Sequence, residues 1–330
     1  MTKAEIKALI QEFADAKSGT VKIEPRILAG IIEKAISGKE VNEDKLKNSI
    51  SEWFNSRFSK RLVYIDEKGY AQMCIDALKI LKTTAATDYG SSRQRDLGQL
   101  WGDMTRGYLA EYALAKFLKE NWNIEVELGH EVGELLDYLP SDIHTVRKLG
   151  EQKRKPNIQV GIKGSKWNGI WLDIPGAQFN HSDVHVFVKV GTARDHLFAY
   201  FKHISVFKDK ILKKGVEVGS ISDEEAGILY DNLPTFEDVP AYIAGFAIKD
   251  KKYEPLSYGG KKGRTRFIID EWNGPIFAGD SENIKQKEAI SGKVEFEGIG
   301  RFSHESGYLF NTGSLLWKDS DWKKYIIDKL

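Results

Sequence analysis

Over roughly its first 85 residues the chain places apolar side chains at helical spacing. The run from Glu5 to Phe13 keeps this period, and so do the apolar residues at 27, 28, 31, 32 and 36. Asn42, Glu43 and Asp44 can cap a helix running to about Phe54. Arg61–Ile65 reads as a short strand and Ala71–Leu81 as a helix. The small polar residues 83–92 predict a linker or loop. A long helix is expected next, from about Arg93 to Lys119, open to interruption at Gly102 or Gly107.

Beyond residue 124 the period changes to two. Ile124–Leu128, Ile158–Lys163 and Val184–Val190 alternate as strands do. Ile204–Leu212 and Asp223–Leu229 read as helices, Tyr242–Ile248 and Thr265–Ile269 as strands, and Trp317–Leu330 as a terminal helix. This order argues for an α/β (α+β) fold, a mixed central sheet flanked by helices, with an N-terminal helical region. With 330 residues, two domains are expected: 1–88, helical, supporting the core or reading DNA, and 89–330, carrying the chemistry.

Composition narrows the class. Hydrophobic residues make up 41% and charged residues 29%, as in an ordinary globular protein. No apolar run is long enough for a membrane span, and the N-terminus lacks the apolar core of a signal peptide. The single cysteine, Cys74, excludes an internal disulfide framework and fits a reducing cytoplasm. A formal net charge of +1 does not announce a nucleic-acid binder, but basic residues cluster at 153–155, at 163 and 166, and at 261–266. His181, His185 and His203 lack partners at zinc spacing, and His144 reads as a strand histidine or a supporting group.

Three segments carry candidate chemistry. Glu111 is the one charge in the helical run Gly107–Ala115; a carboxylate on that face is costly to bury without a partner, so it is either paired or at an exposed helix edge. Asp142 follows Pro140 and Ser141 where a strand should open. Lys163 closes an apolar strand in which Gln159, Gly161 and Lys163 share one face. Twenty residues lie between Asp142 and Lys163.

This set, over roughly residues 100–195, resembles the PD-(D/E)xK nuclease superfamily, which includes most restriction endonucleases. The resemblance implies a mixed sheet flanked by helices and a Mg²⁺-dependent hydrolysis of phosphodiester bonds. Asp142 would bind the metal with the backbone carbonyl of Ile162, and Lys163 would orient or activate the attacking water. Glu111 would be the helix-borne acid that is a frequent extra member. The acidic residue two before the lysine is missing, since Gly161 stands there. Three readings stay open: Gln159 reaches the metal as an amide ligand, Glu111 supplies the lost carboxylate, or catalysis is lost and DNA binding remains.

DNA contacts are expected from Ser165, Lys166, Trp167 and Asn168, which follow the lysine, and from the basic loop carrying Lys261, Lys262, Arg264 and Arg266. The implied partners are double-stranded DNA, a second copy of the chain as a homodimer, and a cognate DNA methyltransferase. A type II restriction enzyme is the leading expectation. A repair or junction-resolving nuclease of the same superfamily and a non-catalytic DNA-binding protein are the alternatives.

Overall fold

The computed structural model describes residues 1–36, 42–88, 96–129, 141–167, 169, 171–193, 195–251, 256–259, 265–269 and 306–330. It is a mixed α/β protein built on a four-stranded mixed sheet.

The N-terminal helices form as their patterning dictates: α1 Lys3–Val21, α2 Pro25–Ile36 and α3 Glu43–Trp53. The Asn42 side chain accepts from the backbone N–H groups of Asp44 and Lys45, so the predicted cap is present. Strand β1 (Leu62–Ile65) is followed by α4 (Glu67–Asp88). This helix extends through residues 83–88, where a linker was expected; the alanines and threonines there continue a helix already nucleated upstream. Residues 89–92 lie outside the described part. The long helix α5 (Leu97–Trp122) starts at an Asp96 cap and runs unbroken through Gly102 and Gly107.

Four strands follow: β2 (Ile124–Leu128), β3 (Ile143–Lys148), β4 (Val160–Lys166) and β5 (Trp171–Pro175). Helix α6 (Gly176–His181) leads into β6 (Val184–Val190). Then come α7 (His196–His203), a π-type turn at Phe207–Leu212, α8 (Lys213–Glu217) and α9 (Asp223–Asp231). Strands β7 (Val239–Ile248), β8 (Leu256–Gly259), β9 (Thr265–Ile269) and β10 (Ser306–Asn311) precede a C-terminal helical segment begun at Asp319–Trp322.

The central sheet has the order β1-β7-β6-β4. β4 and β6 are parallel, with Lys163 opposite Phe187; the pairs β6–β7 and β7–β1 are antiparallel. A second sheet has the order β5-β10-β9-β8, and β2 and β3 form a separate antiparallel pair. On one face of the central sheet, α4 and α5 close a core with Val160, Ile162, Val186 and Val188. On the other, α1–α3 share a core with Phe187 and Tyr242 and with Leu172, Ile174 and Phe310 of the second sheet. The division expected at residue 88 is therefore bridged twice: β1 is an edge strand of the central sheet, and α1–α3 pack on that sheet. No helix among the described residues is long and apolar enough to cross a membrane.

All seven residues of β6 are buried, as a central strand's should be, yet two of them are His185 and Lys189. Lys189 has another buried cation, Arg57, as a neighbour, and Arg57 in turn has the buried Arg61. Arg57 donates to the carbonyls of Ala244 and Thr312 at 2.9 and 2.8 Å, and Arg61 to Asp319 at 2.5 Å. Burial, helped by Arg57, pushes the Lys189 amine down to about 7.

In the unfolded chain that amine titrates near 10.5, so the folded state binds fewer protons between about 7 and 10.5. Its contribution to stability rises with pH across that window, and the full penalty remains below it. Lys189→Met should raise stability at neutral pH by about 1–4 kcal/mol, the range for replacing buried charge by apolar volume. It should also flatten the rise in thermal midpoint between pH 7 and 10. Thermal denaturation of both proteins across that range checks this; an unchanged pH profile contradicts it.

Candidate functional site

Asp142 stands where the β2–β3 pair meets β4. Its carbonyl accepts from Gly129 N–H at 3.0 Å, and its own N–H donates to Val160 O at 2.8 Å. Ser141 reinforces the junction, its hydroxyl accepting from Val160 N–H at 3.1 Å. One step further the backbone pairing gives way to the side chain: Asp142 Oδ2 accepts from Ile162 N–H at 2.5 Å. The carboxylate thus stands in for the next rung of a ladder as β3 turns away. The N–H and C=O of one strand residue leave by the same edge. The Ile162 carbonyl therefore leaves β4 on the side where Asp142 sits.

Helix α5 approaches β4 through small residues. A Cβ at Gly164 would lie 2.9 Å from Ala110 Cβ and 3.5 Å from Arg106 O. Glu111, the next residue along the helix from Ala110, is half-buried. It is brought to the strand by this close packing, which a side chain at Gly164 would prevent.

Lys163 is half-buried and donates through Nζ to Gln178 Oε1 on α6. Burial drives its amine down, while the carboxylates of Asp142, Glu111 and Asp173 pull it back up. Two of these acids are those the sequence singled out. The third, Asp173, was missed. It lies on β5 between the buried Leu172 and Ile174, five residues before Gln178. The phenol of Tyr108 is pushed up by burial, with Glu111 and Asp142 among its acidic neighbours.

The open slot at Gly161 has a physical cause. His185, opposite it on β6, is 1% exposed, and its ring lies over the glycine. A Cβ at 161 would meet His185 Nδ1 at 2.9 Å and Ser182 Oγ at 3.0 Å. The ring is stacked on Phe179 with centroids 5.5 Å apart, and burial pushes its pKa down to about 4, so it is neutral. A carboxylate at this position has no room. A further carboxylate acting on the lysine is that of Asp173 on β5.

The structure brings together Asp142, Ile162, Lys163 and Glu111. Gln159 precedes β4 and is exposed; its backbone N–H binds Asp183 Oδ2 at 2.9 Å. Ser165 is half-buried, Lys166 exposed, and Trp167 half-buried against Phe58, with ring centroids 6.3 Å apart. Arg266 lies on β9 opposite Tyr258 and Gly307. Asn168, Lys261, Lys262 and Arg264 lie outside the described residues, as does Pro140.

The donors around Lys163 are hard oxygens, a set that suits Mg²⁺ in kind. Among the described residues, no group of three or more His, Cys, Asp or Glu is spaced to hold a metal ion as it stands. Asp173 is the residue sequence reasoning could have found: it is the one charged residue in the strand-like run Trp171–Ile174.

Gly161→Asp, which writes the expected acid back into the tripeptide, should destabilise the protein by about 1–3 kcal/mol through overpacking against His185. Gly161→Asp with His185→Ala should regain most of that loss. Urea denaturation of the two variants reads the difference; a single variant as stable as the parent refutes the steric account of the slot.

No family model matches this chain, and neither the curated proteins nor the solved structures compared with it give a match.

Proposed function

We propose that this chain is a metal-dependent endonuclease acting on double-stranded DNA, of the restriction-enzyme type. The observation that carries the reading is the meeting of Asp142 and Lys163. Asp142, at the mouth of one strand, accepts from Ile162 N–H on the next, and its carboxylate acts on the neighbouring Lys163. Two further carboxylates, Glu111 and Asp173, act on the same lysine. A mixed sheet with helices packed on it supports the resemblance to the PD-(D/E)xK superfamily at the level of architecture.

Phosphodiester hydrolysis asks for these residue types. The substrate is anionic and repels hydroxide. Asp142, Glu111 and Asp173, with the Ile162 carbonyl, would hold Mg²⁺, which when bound offsets developing charge and lowers the pKa of a coordinated water. Lys163 faces the scissile phosphate in this reading and stabilises the charge that builds there. Gln178 holds the lysine side chain in place, and Asp142 fixes the strand that presents it. The apolar cores on both faces of the sheet keep that frame rigid.

Incubation of the purified chain with supercoiled plasmid and Mg²⁺ should give discrete fragments. A smear, or a preference for branched DNA, points instead to a repair or junction nuclease, and retarded but uncut DNA to a binding protein. Lys163→Ala and Asp142→Asn should each lower the cleavage rate by several orders of magnitude, on the order of 3–6 kcal/mol in barrier. Asp173→Asn should lower it by roughly tenfold or more, about 1.4 kcal/mol. Gln159→Ala, at an exposed position, should leave it near the parent rate. Near-full cleavage by Lys163→Ala overturns the assignment.

A further inference from the structure

Residues 203–232 contain no buried side chain. This stretch holds the π-type turn Phe207–Leu212, the five-residue α8 and the nine-residue α9. Helices this short are marginal on their own and need an apolar face covered. Here the apolar side chains face outward: Ile211 is 53% exposed, Val218 60%, Ile228 56% and Leu229 48%. The arm is fixed at its base, where Lys202 Nζ donates to the carbonyls of Asp231 and Leu233 at 3.2 and 2.7 Å. The Tyr230 hydroxyl donates to Lys202 O at 3.1 Å. Its ends are tied down, while its apolar side is left to something else.

Charge along the arm is divided. The limb 207–217 carries four lysines against Asp209 and Glu217. The limb 223–231 carries Asp223, Glu224, Glu225 and Asp231 and no basic residue. A surface with one basic and one acidic limb flanking apolar side chains is complementary to itself. Turned about a two-fold axis, the basic limb of one copy meets the acidic limb of the other, and each such contact occurs twice. Matched charge of this kind sets partner and register, while the apolar centre supplies the burial.

We propose that the arm spanning residues 203–232 is a self-association surface whose occupant is the same arm of a second copy of this chain. The proposal does not rest on the chemistry at Lys163, and its readout is molecular mass rather than cleavage.

Sedimentation velocity of the full chain at micromolar concentration should show a dimer. Lys210→Glu with Lys213→Glu should be monomeric alone, and so should Glu224→Lys with Asp231→Lys. Neither pair includes Ser222 or Glu225, which cap α9, nor Lys214, which pairs with Glu217. Mixed in equal amounts, the two reversed variants should re-form a dimer. Ile228→Ser should weaken dimerisation by roughly tenfold or more. Circular dichroism of each variant should match the parent, which separates lost association from lost folding. A monomeric parent, charge-reversed variants that remain dimers, or a mixture that stays monomeric would each overturn the proposal. So would lysine variants that lose DNA retention while their mass is unchanged, since the arm would then be a nucleic-acid surface.

Discussion

One hydrogen bond holds the candidate site together: Ile162 N–H donating to Asp142 Oδ2. A strand edge whose N–H found no acceptor would be costly in this half-buried position. Asp142 supplies the acceptor with a side chain rather than a carbonyl, so β3 can depart from β4 without orphaning the rung. That departure leaves the edge of β4 open beside Lys163. The small residues Ala110 and Gly164 let α5 come down on the strand from one side. On the other side α6 holds the lysine through Gln178. Each acid near Lys163 thus arrives from a different element.

The same frame explains the departure from the expected tripeptide. Position 161 faces His185 across a parallel pair, and the imidazole takes the space a carboxylate would need. Further along β6, Lys189 is buried with the Arg57 guanidinium as a neighbouring charge. Stability is traded for that arrangement, because desolvating the Lys189 ammonium opposes folding.

Much of this was legible in the chain. The two-residue period announced β6 at its bounds, Val184–Val190, the apolar spacing announced α1 and α2, and the Asn42 cap announced α3. Asp142 and Lys163 stood out through their neighbours in sequence, Ser141 before one and the Ile158–Ile162 alternation before the other. Asp173 left only the signal of a lone charge in an apolar run, and its role depends on β5 and α6 folding back toward Lys163, a contact that no local period encodes. The pairing of β1 with β7 was hidden for the same reason: Leu62 meets Tyr242, far along the chain. Helix α7 was missed because His196 to His203 mixes aromatic, basic and apolar residues without a clean stripe, its packing being set by Tyr70 and Phe236.

The central claim is that Asp142, Glu111 and Asp173 converge on Lys163 to hold a divalent ion. Anomalous diffraction from crystals grown with Mn²⁺, standing in for Mg²⁺, tests it most directly. The account predicts a single strong peak within coordination distance of Asp142 and at least one of Glu111 and Asp173, lost in crystals of Asp142→Asn. A map with no peak beside Asp142 at saturating Mn²⁺, or with its peak elsewhere on the molecule, would contradict it.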